Sequence, residues 1–219
     1  MNRLCLTFAL SLLLLPLTAC GLSGGPLEGR VLEAGTNKPI PGAIVVARWQ
    51  GTYSQIVDSQ DVCYHVESTT TDAQGRYQIP AWKEKSKGLM FSAGPWLIDA
   101  YKTGYETYWP AAYSATEDYK RNIRYLKPFT GTKAERLKYL IQMLSAANCP
   151  LAGSSSRNLY PMYKAMYEEA KTISVTPENW KSVDILRQEA AEVAVRPDGN
   201  ITSEEMDRRV NEFLKDNLK

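Results

Sequence analysis

The hydrophobic pattern of this 219-residue chain changes its period near residue 130. Before that point, short segments alternate apolar and polar residues, which is typical of half-buried strands, and turn signals such as residues 35–39 separate them. After it, apolar residues recur at helical spacing. The chain is therefore predicted to be an α+β protein, with an antiparallel β-sandwich over residues 27–129 and an α-helical region of about four helices over residues 130–219.

The pattern also predicts the individual elements. We expect strands over residues 27–32, 43–49, 62–71, 76–79, 96–102, 105–109 and 123–126. We expect helices over residues 132–147, 158–172 and 177–195, and from residue 203 onward. Thr176 and Thr202 are suited to cap the last two helices, and Glu205 is spaced to complete a capping box with Thr202. The pattern leaves open whether the helices form a separate bundle or cover one face of the sandwich.

The first 20 residues are typical of a processing segment. Arg3 precedes a nearly unbroken apolar run over residues 4–15, which is too short to span a bilayer. The tetrad Leu-Thr-Ala-Cys at residues 17–20 then resembles the lipobox of bacterial lipoproteins. That resemblance implies that a signal peptide over residues 1–19 is removed and that Cys20 carries acyl chains, palmitate among them.

The residue after Cys20 indicates which of the two bacterial membranes would hold the anchor. Because Gly21 stands where an inner-membrane retention signal has Asp, the resemblance implies a lipid-anchored protein of the outer membrane that faces the periplasm. Residues 20–26 are expected to form a flexible lipidated tether, since they are rich in Gly and Ser. The alternative is an ordinary signal sequence cut near Ala19, with Cys20 incidental.

The cysteine count points to one disulfide. Of the four cysteines, the lipobox resemblance assigns Cys5 to the leader and Cys20 to acylation, so Cys63 and Cys149 would remain in the mature domain. Two such thiols are expected to pair in an oxidising periplasm, and closing a loop of about 85 residues would contribute roughly 4 kcal/mol. Two separate buried thiols are the alternative.

Composition excludes several classes of function. The 26 basic and 24 acidic side chains leave a net charge of +2, which is too small to indicate a nucleic-acid partner. The single histidine, His65, cannot furnish the two or three imidazoles of a typical zinc hydrolase. A catalytic triad would have to use His65, but its place inside an alternating strand favours a hydrogen-bonded sheet histidine. We therefore predict no enzymatic activity, no cofactor and no metal site.

Four short blocks of residues follow one another along the β segment. They are Gly-Arg-Val at 29–31, Asn-Lys-Pro-Ile-Pro-Gly-Ala-Ile-Val at 37–45, Thr-Asp-Ala-Gln-Gly-Arg-Tyr at 71–77 with Ile-Pro at 79–80, and Tyr-Lys-Thr-Gly-Tyr at 101–105. This series resembles the carboxypeptidase regulatory-like family, which implies a transthyretin-like (prealbumin-like) sandwich. In carboxypeptidases that module is accessory and holds no zinc ligands, so the resemblance implies binding rather than peptidase activity. Physically, Asp72 is suited to accept bonds from local amides while Gly75 takes a positive φ.

Aromatic side chains are dense between residues 101 and 125. They are Tyr101, Tyr105, Tyr108, Trp109, Tyr113, Tyr119 and Tyr125. As a stacking platform they would bind a glycan or a peptide, with Trp109, Tyr113 and Tyr108 as the binding candidates. In the structural interpretation, which we favour, alternate rings face the core and the others cover the junction with the helices.

The segment before the last helix resembles the second half of an EF-hand loop. Asp198, Gly199 and Glu205 stand where a ligand, the turn glycine and the bidentate glutamate would lie. Ala194 and Arg196 occupy the first two ligand positions, so tight calcium binding is not expected. A helix–turn–helix explains the same residues.

The sequence thus predicts a non-catalytic interaction module that is attached to the membrane through acyl chains on Cys20. Its expected role is protein binding or envelope structure. The first alternative is a lipoprotein that binds a glycan or peptidoglycan through the aromatics of residues 101–125. The second alternative is an unrecognised hydrolase that uses His65.

Overall fold

The structure, a computed structural model, describes residues 21–54, 58–108, 117–149, 152–173 and 176–218. These residues form nine strands in three sheets, five α-helices and a 3-10 helix, so the chain has the mixed α+β class that its change of period predicts. The strands are β1 (Leu22–Gly24), β2 (Leu27–Glu33), β3 (Ile44–Ser54), β4 (Ser59–Thr70), β5 (Arg76–Ile79), β6 (Trp82–Glu84), β7 (Phe91–Tyr101), β8 (Tyr105–Tyr108) and β9 (Ile123–Pro128). The helices are α1 (Glu117–Lys120), α2 (Lys133–Ala147), the 3-10 helix (Gly153–Leu159), α3 (Tyr160–Ile173), α4 (Pro177–Val195) and α5 (Ser203–Asn217).

The strands form two larger sheets and one short ribbon. The first sheet has four strands in the order β5-β2-β9-β8, the second has three in the order β4-β3-β7, and β1 pairs with β6. These pairs are antiparallel except for β2 with β9, in which Arg30 lies opposite Ile123 and Glu33 opposite Leu126. The predicted antiparallel order is wrong at this pair. Because the chain passes through the whole second sheet before it returns as β9, it has the long crossover that parallel neighbours need.

The two larger sheets share one buried core. Val45, Ala47 and Trp49 occupy alternate positions of β3 and belong to one cluster with Val31 of β2 and Leu126 of β9. Alternate residues of a strand point to the same face, so this face of the three-stranded sheet packs on the four-stranded sheet.

The helices cover the opposite face of the three-stranded sheet. Val46 of β3, Val66 of β4 and Tyr101 of β7 are buried in a second cluster with residues of α2, α3, α4 and α5, such as Leu140 and Met166. The question that the sequence left open is thereby answered, because the helices lie on the sheet rather than in a separate bundle. The order of layers is four-stranded sheet, three-stranded sheet and helices.

The ribbon of β1 and β6 falls where the sequence predicts no strand. Residues 22–24 pair with residues 82–84 in antiparallel register, with Leu22 opposite Glu84. Residues 22–24 are therefore part of the fold, in contrast to the flexible tether expected over residues 20–26. Three-residue strands are too short to show a period, and their backbone bonds depend on two distant segments meeting.

The predicted caps are present, but one predicted capping box is only half formed. Thr176 and Thr202 precede α4 and α5, and each hydroxyl accepts a bond from the amide three residues later. The Glu205 carboxylate binds Arg208 and Arg209, at 2.8 and 2.7 Å, instead of returning to the Thr202 amide. These two guanidinium groups lower the pKa of Glu205 to about 2.

Candidate functional site

The predicted cysteine pair is joined. Cys63 of β4 and Cys149, just after α2, form a disulfide with their Cα atoms 4.8 Å apart, and both residues are buried. The alternative of two separate thiols is therefore wrong. The bond links residues 86 positions apart and ties the three-stranded sheet to the helical layer.

Three of the predicted functional residues, Cys20, Trp109 and Tyr113, lie outside the described part of the chain. Acylation of Cys20 and ligand stacking on the other two therefore stay predictions. Within the described ranges, no helix combines the length and the apolar character needed to cross a membrane.

The described tyrosines of residues 101–125 are mostly engaged within the fold. Tyr101 is 2% exposed, and its hydroxyl donates to the Glu169 carboxylate at 2.5 Å. The Tyr105 and Tyr125 hydroxyls donate to carboxylates of β2 and α1, at 3.3 and 2.8 Å. The structural interpretation accounts for these three rings, which do not form one open platform.

Tyr108 is the predicted binding residue that the structure describes. It ends β8, is 40% exposed, and has the Lys127 ammonium 5.9 Å from its ring centroid. An exposed ring beside a cation is suited to stack on a ligand.

His65 is buried, and both of its ring nitrogens contact carboxylates. Nε2 lies 3.0 Å from Glu67, and Nδ1 contacts Glu84. The ring also stacks on Trp82, with the centroids 3.8 Å apart. Because both ring nitrogens are engaged by carboxylates, the imidazole is suited to tying β4 to β6.

A buried ion pair holds the helices on the sheet. Arg136 of α2 and Glu169 of α3 are bidentate, with both distances 2.8 Å and with side chains 4% and 6% exposed. Glu169 also accepts from the Tyr101 hydroxyl and the Gly104 amide, and Arg136 donates to the Tyr105 carbonyl. Burial raises the pKa of Glu169, but the hydrogen bonds from Arg136, Tyr101 and Gly104 outweigh it and leave the pKa below its usual value. The network is suited to a structural role because its charges are paired.

Sequence reasoning missed the segment of residues 83–90, which comprises the end of β6 and the connection to β7. Lys83 and Lys85 are exposed, Leu89 is 104% exposed and Met90 is 55% exposed. The available signal was the lysine at every second position, followed by Gly-Leu-Met. We refer to residues 83–90 as the lysine loop.

The described part of the molecule carries several other clefts, two of which lie beside β2 and β5 and between α3 and α4. One, of about 760 Å³, is lined in part by Arg30, Arg76 and Arg121. Arg30 and Arg76 are already bonded to groups of the adjacent turn, at 3.1 and 2.9 Å. The other cleft, of about 390 Å³, lies between α3 and α4 and includes Tyr167 and the 56% exposed Trp180. Neither cleft by itself indicates a ligand class.

The segment that resembles half an EF-hand loop forms the turn between α4 and α5. Asp198 lies 3.9 Å from the Arg157 guanidinium, and the Glu205 carboxylate is bound by two arginines of its own helix. In the described ranges, no three His, Cys, Asp or Glu side chains are grouped so that they could hold a metal ion. The helix–turn–helix interpretation accounts for these contacts.

Comparisons with protein-family models, with curated proteins and with solved structures find no match to this chain. The resemblance to the carboxypeptidase regulatory-like family therefore stays a prediction, and function has to be argued from the residues and their geometry.

Proposed function

We propose that this chain is a lipid-anchored, non-catalytic protein of the outer membrane that faces the periplasm, and that its β-sandwich binds another component of the envelope. One observation carries the proposal: a leader with a lipobox-like end at residues 17–20 precedes a fold that is closed by a disulfide. Disulfides persist in oxidising compartments and are rare in the cytosol, so the Cys63–Cys149 bond supports a location outside the cytoplasm.

We also propose that the sandwich is of the transthyretin-like, carboxypeptidase regulatory-like type. Two features of the resembling blocks support this. Gly42, Gly75 and Gly104 all have a positive φ, between 62° and 78°, at the turns of those blocks. Asp72 accepts bonds from the amides of Gln74 and Arg76, at 2.8 and 2.9 Å, and closes the β4–β5 turn.

The contacts of His65, Arg136 and Glu169 favour a binding role over catalysis. The only histidine of the sequence contacts carboxylates on both ring nitrogens, and the buried Arg136–Glu169 pair is satisfied by neighbouring groups. If a hydrolase used His65, the His65→Gln variant would lose that activity. We expect the variant to change stability instead, as measured by urea unfolding.

The anchor is tested by the mass of the protein recovered from the membrane fraction. We expect a chain that begins at Cys20 and carries acyl chains, and we expect Cys20→Ser to release the protein from the membrane. A membrane-fraction protein with an unmodified Cys20 would contradict the proposal. Crosslinking in the native envelope, followed by identification of the captured component, then tests the binding role.

A glycan-binding lipoprotein is the second candidate, and the exposure of Tyr108 favours it. Cell-wall pulldown of the wild-type chain is compared with Tyr108→Ala, and with Tyr125→Phe as the control. If Tyr108→Ala binds the cell wall as well as the control does, glycan stacking on this ring is ruled out.

A further inference from the structure

We infer that the lysine loop is a membrane-contact site, in which Leu89 and Met90 enter the surface of the bilayer while Lys83 and Lys85 contact anionic headgroups. The inference rests on the proposed acylation of Cys20. It adds to that proposal the face of the molecule that meets the membrane.

The first step is where the chain enters the fold. Strand β1 pairs with β6 in antiparallel register, so the chain traced backwards from Leu22 runs in the same direction as the chain that leaves Glu84. Gly21 is packed so closely on this strand that a Cβ added to it would lie 3.0 Å from the Glu84 carbonyl oxygen. Consecutive Cα atoms are about 3.8 Å apart. Gly21, the residue next to the proposed acylation site, therefore lies beside Glu84 of the lysine loop.

The second step is the exposure of the loop. Leu89, at 104%, is the most exposed of the large apolar side chains among the described residues, and Met90 is 55% exposed. The base of the loop is held in place, since the Phe91 ring packs on Tyr64 and Tyr53 with centroids 4.9 and 5.0 Å apart. Two apolar side chains are therefore exposed on a loop whose base is fixed. Membrane proteins that lie in the interface insert exposed apolar side chains in a similar way.

The third step is charge. Lys83 and Lys85 are exposed. The acidic residue between them, Glu84, is engaged by Lys87 at 3.0 Å and by His65. Lysines beside a membrane are attracted to anionic headgroups, while their alkyl stems lie along apolar surface.

The neighbouring hairpin of β3 and β4 carries two carboxylates, Asp58 and Asp61. They limit the positive charge of this end of the molecule, so attraction to headgroups alone does not account for the contact. The apolar pair enters the bilayer, and the lysines orient it. A bilayer with anionic lipid is the occupant that fits a loop with two exposed lysines and two exposed apolar side chains, next to the proposed lipidation site.

The test uses the acylated full chain in vesicles of phosphatidylethanolamine and phosphatidylglycerol. An environment-sensitive dye is attached to Leu89→Cys in one sample and to Ile185→Cys, on α4 and 39% exposed, in the control. We expect the emission of the dye at position 89 to shift to the blue and to be quenched by lipids with brominated acyl chains. We expect neither effect at position 185. Removing phosphatidylglycerol, or replacing Lys83 and Lys85 with Gln, is expected to reduce the quenching.

The mass of the same samples separates the two proposals. A chain without acyl groups overturns the proposed anchor, whatever the dye reports. An acylated chain whose dye at position 89 stays in water overturns the membrane contact alone. Protection of the dye only in native envelopes, and not on vesicles, would mean that a protein covers the loop, which also overturns the inference. Quenching that is independent of both lipid charge and the lysines would overturn the role assigned to Lys83 and Lys85.

Discussion

At the scale of single residues, the Arg136–Glu169 pair is the contact whose loss should cost most. Replacing Glu169 with Gln leaves the Arg136 cation buried without its counter-charge, for which we expect a loss of roughly 3–5 kcal/mol in the free energy of unfolding. The matched control is Glu168→Gln, because Glu168 is a neighbour whose side chain is 50% exposed. It should change stability by no more than about 0.5 kcal/mol in urea unfolding. Equal losses in the two variants would contradict a special role for the buried pair.

The same carboxylate predicts a dependence of stability on pH. Because the pKa of Glu169 in the fold lies below its ordinary value of 4.5, ionisation stabilises the folded state fully above that value. The contribution is lost as the pH falls from there through the folded pKa. We expect the free energy of unfolding to decrease as the pH is lowered through this acidic range. In Glu169→Gln the decrease should be less steep. Parallel pH profiles for the wild type and the variant would refute this assignment.

Gly29 of β2 is a residue whose missing side chain matters. A Cβ at this position would lie 2.6 Å from Cζ of Tyr77, whose hydroxyl donates to the Asn122 carbonyl at 2.6 Å. We expect Gly29→Ala to lower the free energy of unfolding by about 1–3 kcal/mol, since backbone and ring must both shift. Gly199→Ala is the control, because nothing lies within 4 Å of a Cβ there. Thermal unfolding of the two variants makes the comparison, and a Gly29→Ala protein as stable as the control would show that the site can relax.

At the scale of elements, the disulfide joins β4 to the end of α2 across 86 positions of the chain. The double variant Cys63→Ala/Cys149→Ala should be less stable by roughly 4 kcal/mol in the chain-entropy model, because its unfolded state is no longer constrained. Urea unfolding of the variant, beside the wild type with and without reductant, measures the loss. If reductant destabilises the double variant as much as the wild type, the effect does not come from this bond.

Elements with a clear local signal were predicted well, and the three-residue strands were not. The helices α2 to α5 lie close to the predicted ranges, because apolar spacing and the caps at Thr176 and Thr202 are local properties. By contrast, β1 and β6 have three residues each and exist only as partners of one another. The lysine loop was missed together with β6, in which it begins.

At the scale of the whole molecule, the three-stranded sheet takes part in two cores. Its Val45 face packs on the other sheet and its Val46 face packs under the helices. We therefore expect one cooperative unfolding transition, in which the near-UV signal of the aromatic residues and the far-UV signal of the helices change together. A chain of residues 21–129 alone should aggregate, because the face of Val46, Val66 and Tyr101 would be exposed. Two separate transitions, or a monomeric folded fragment, would contradict this expectation.

The local pattern of residues determined the order of the longer strands and helices and the turn that Asp72 and Gly75 close. The cysteine count, together with the lipobox resemblance, pointed to the pair of Cys63 and Cys149. Each of these depends on spacing within a few residues or on a count. Only the tertiary structure decided that β2 and β9 are parallel neighbours, that the helices cover the sheet, and that Leu22 pairs beside Glu84. The physical reason is that these contacts join segments far apart in the chain, so their energies depend on which surfaces meet rather than on any local period.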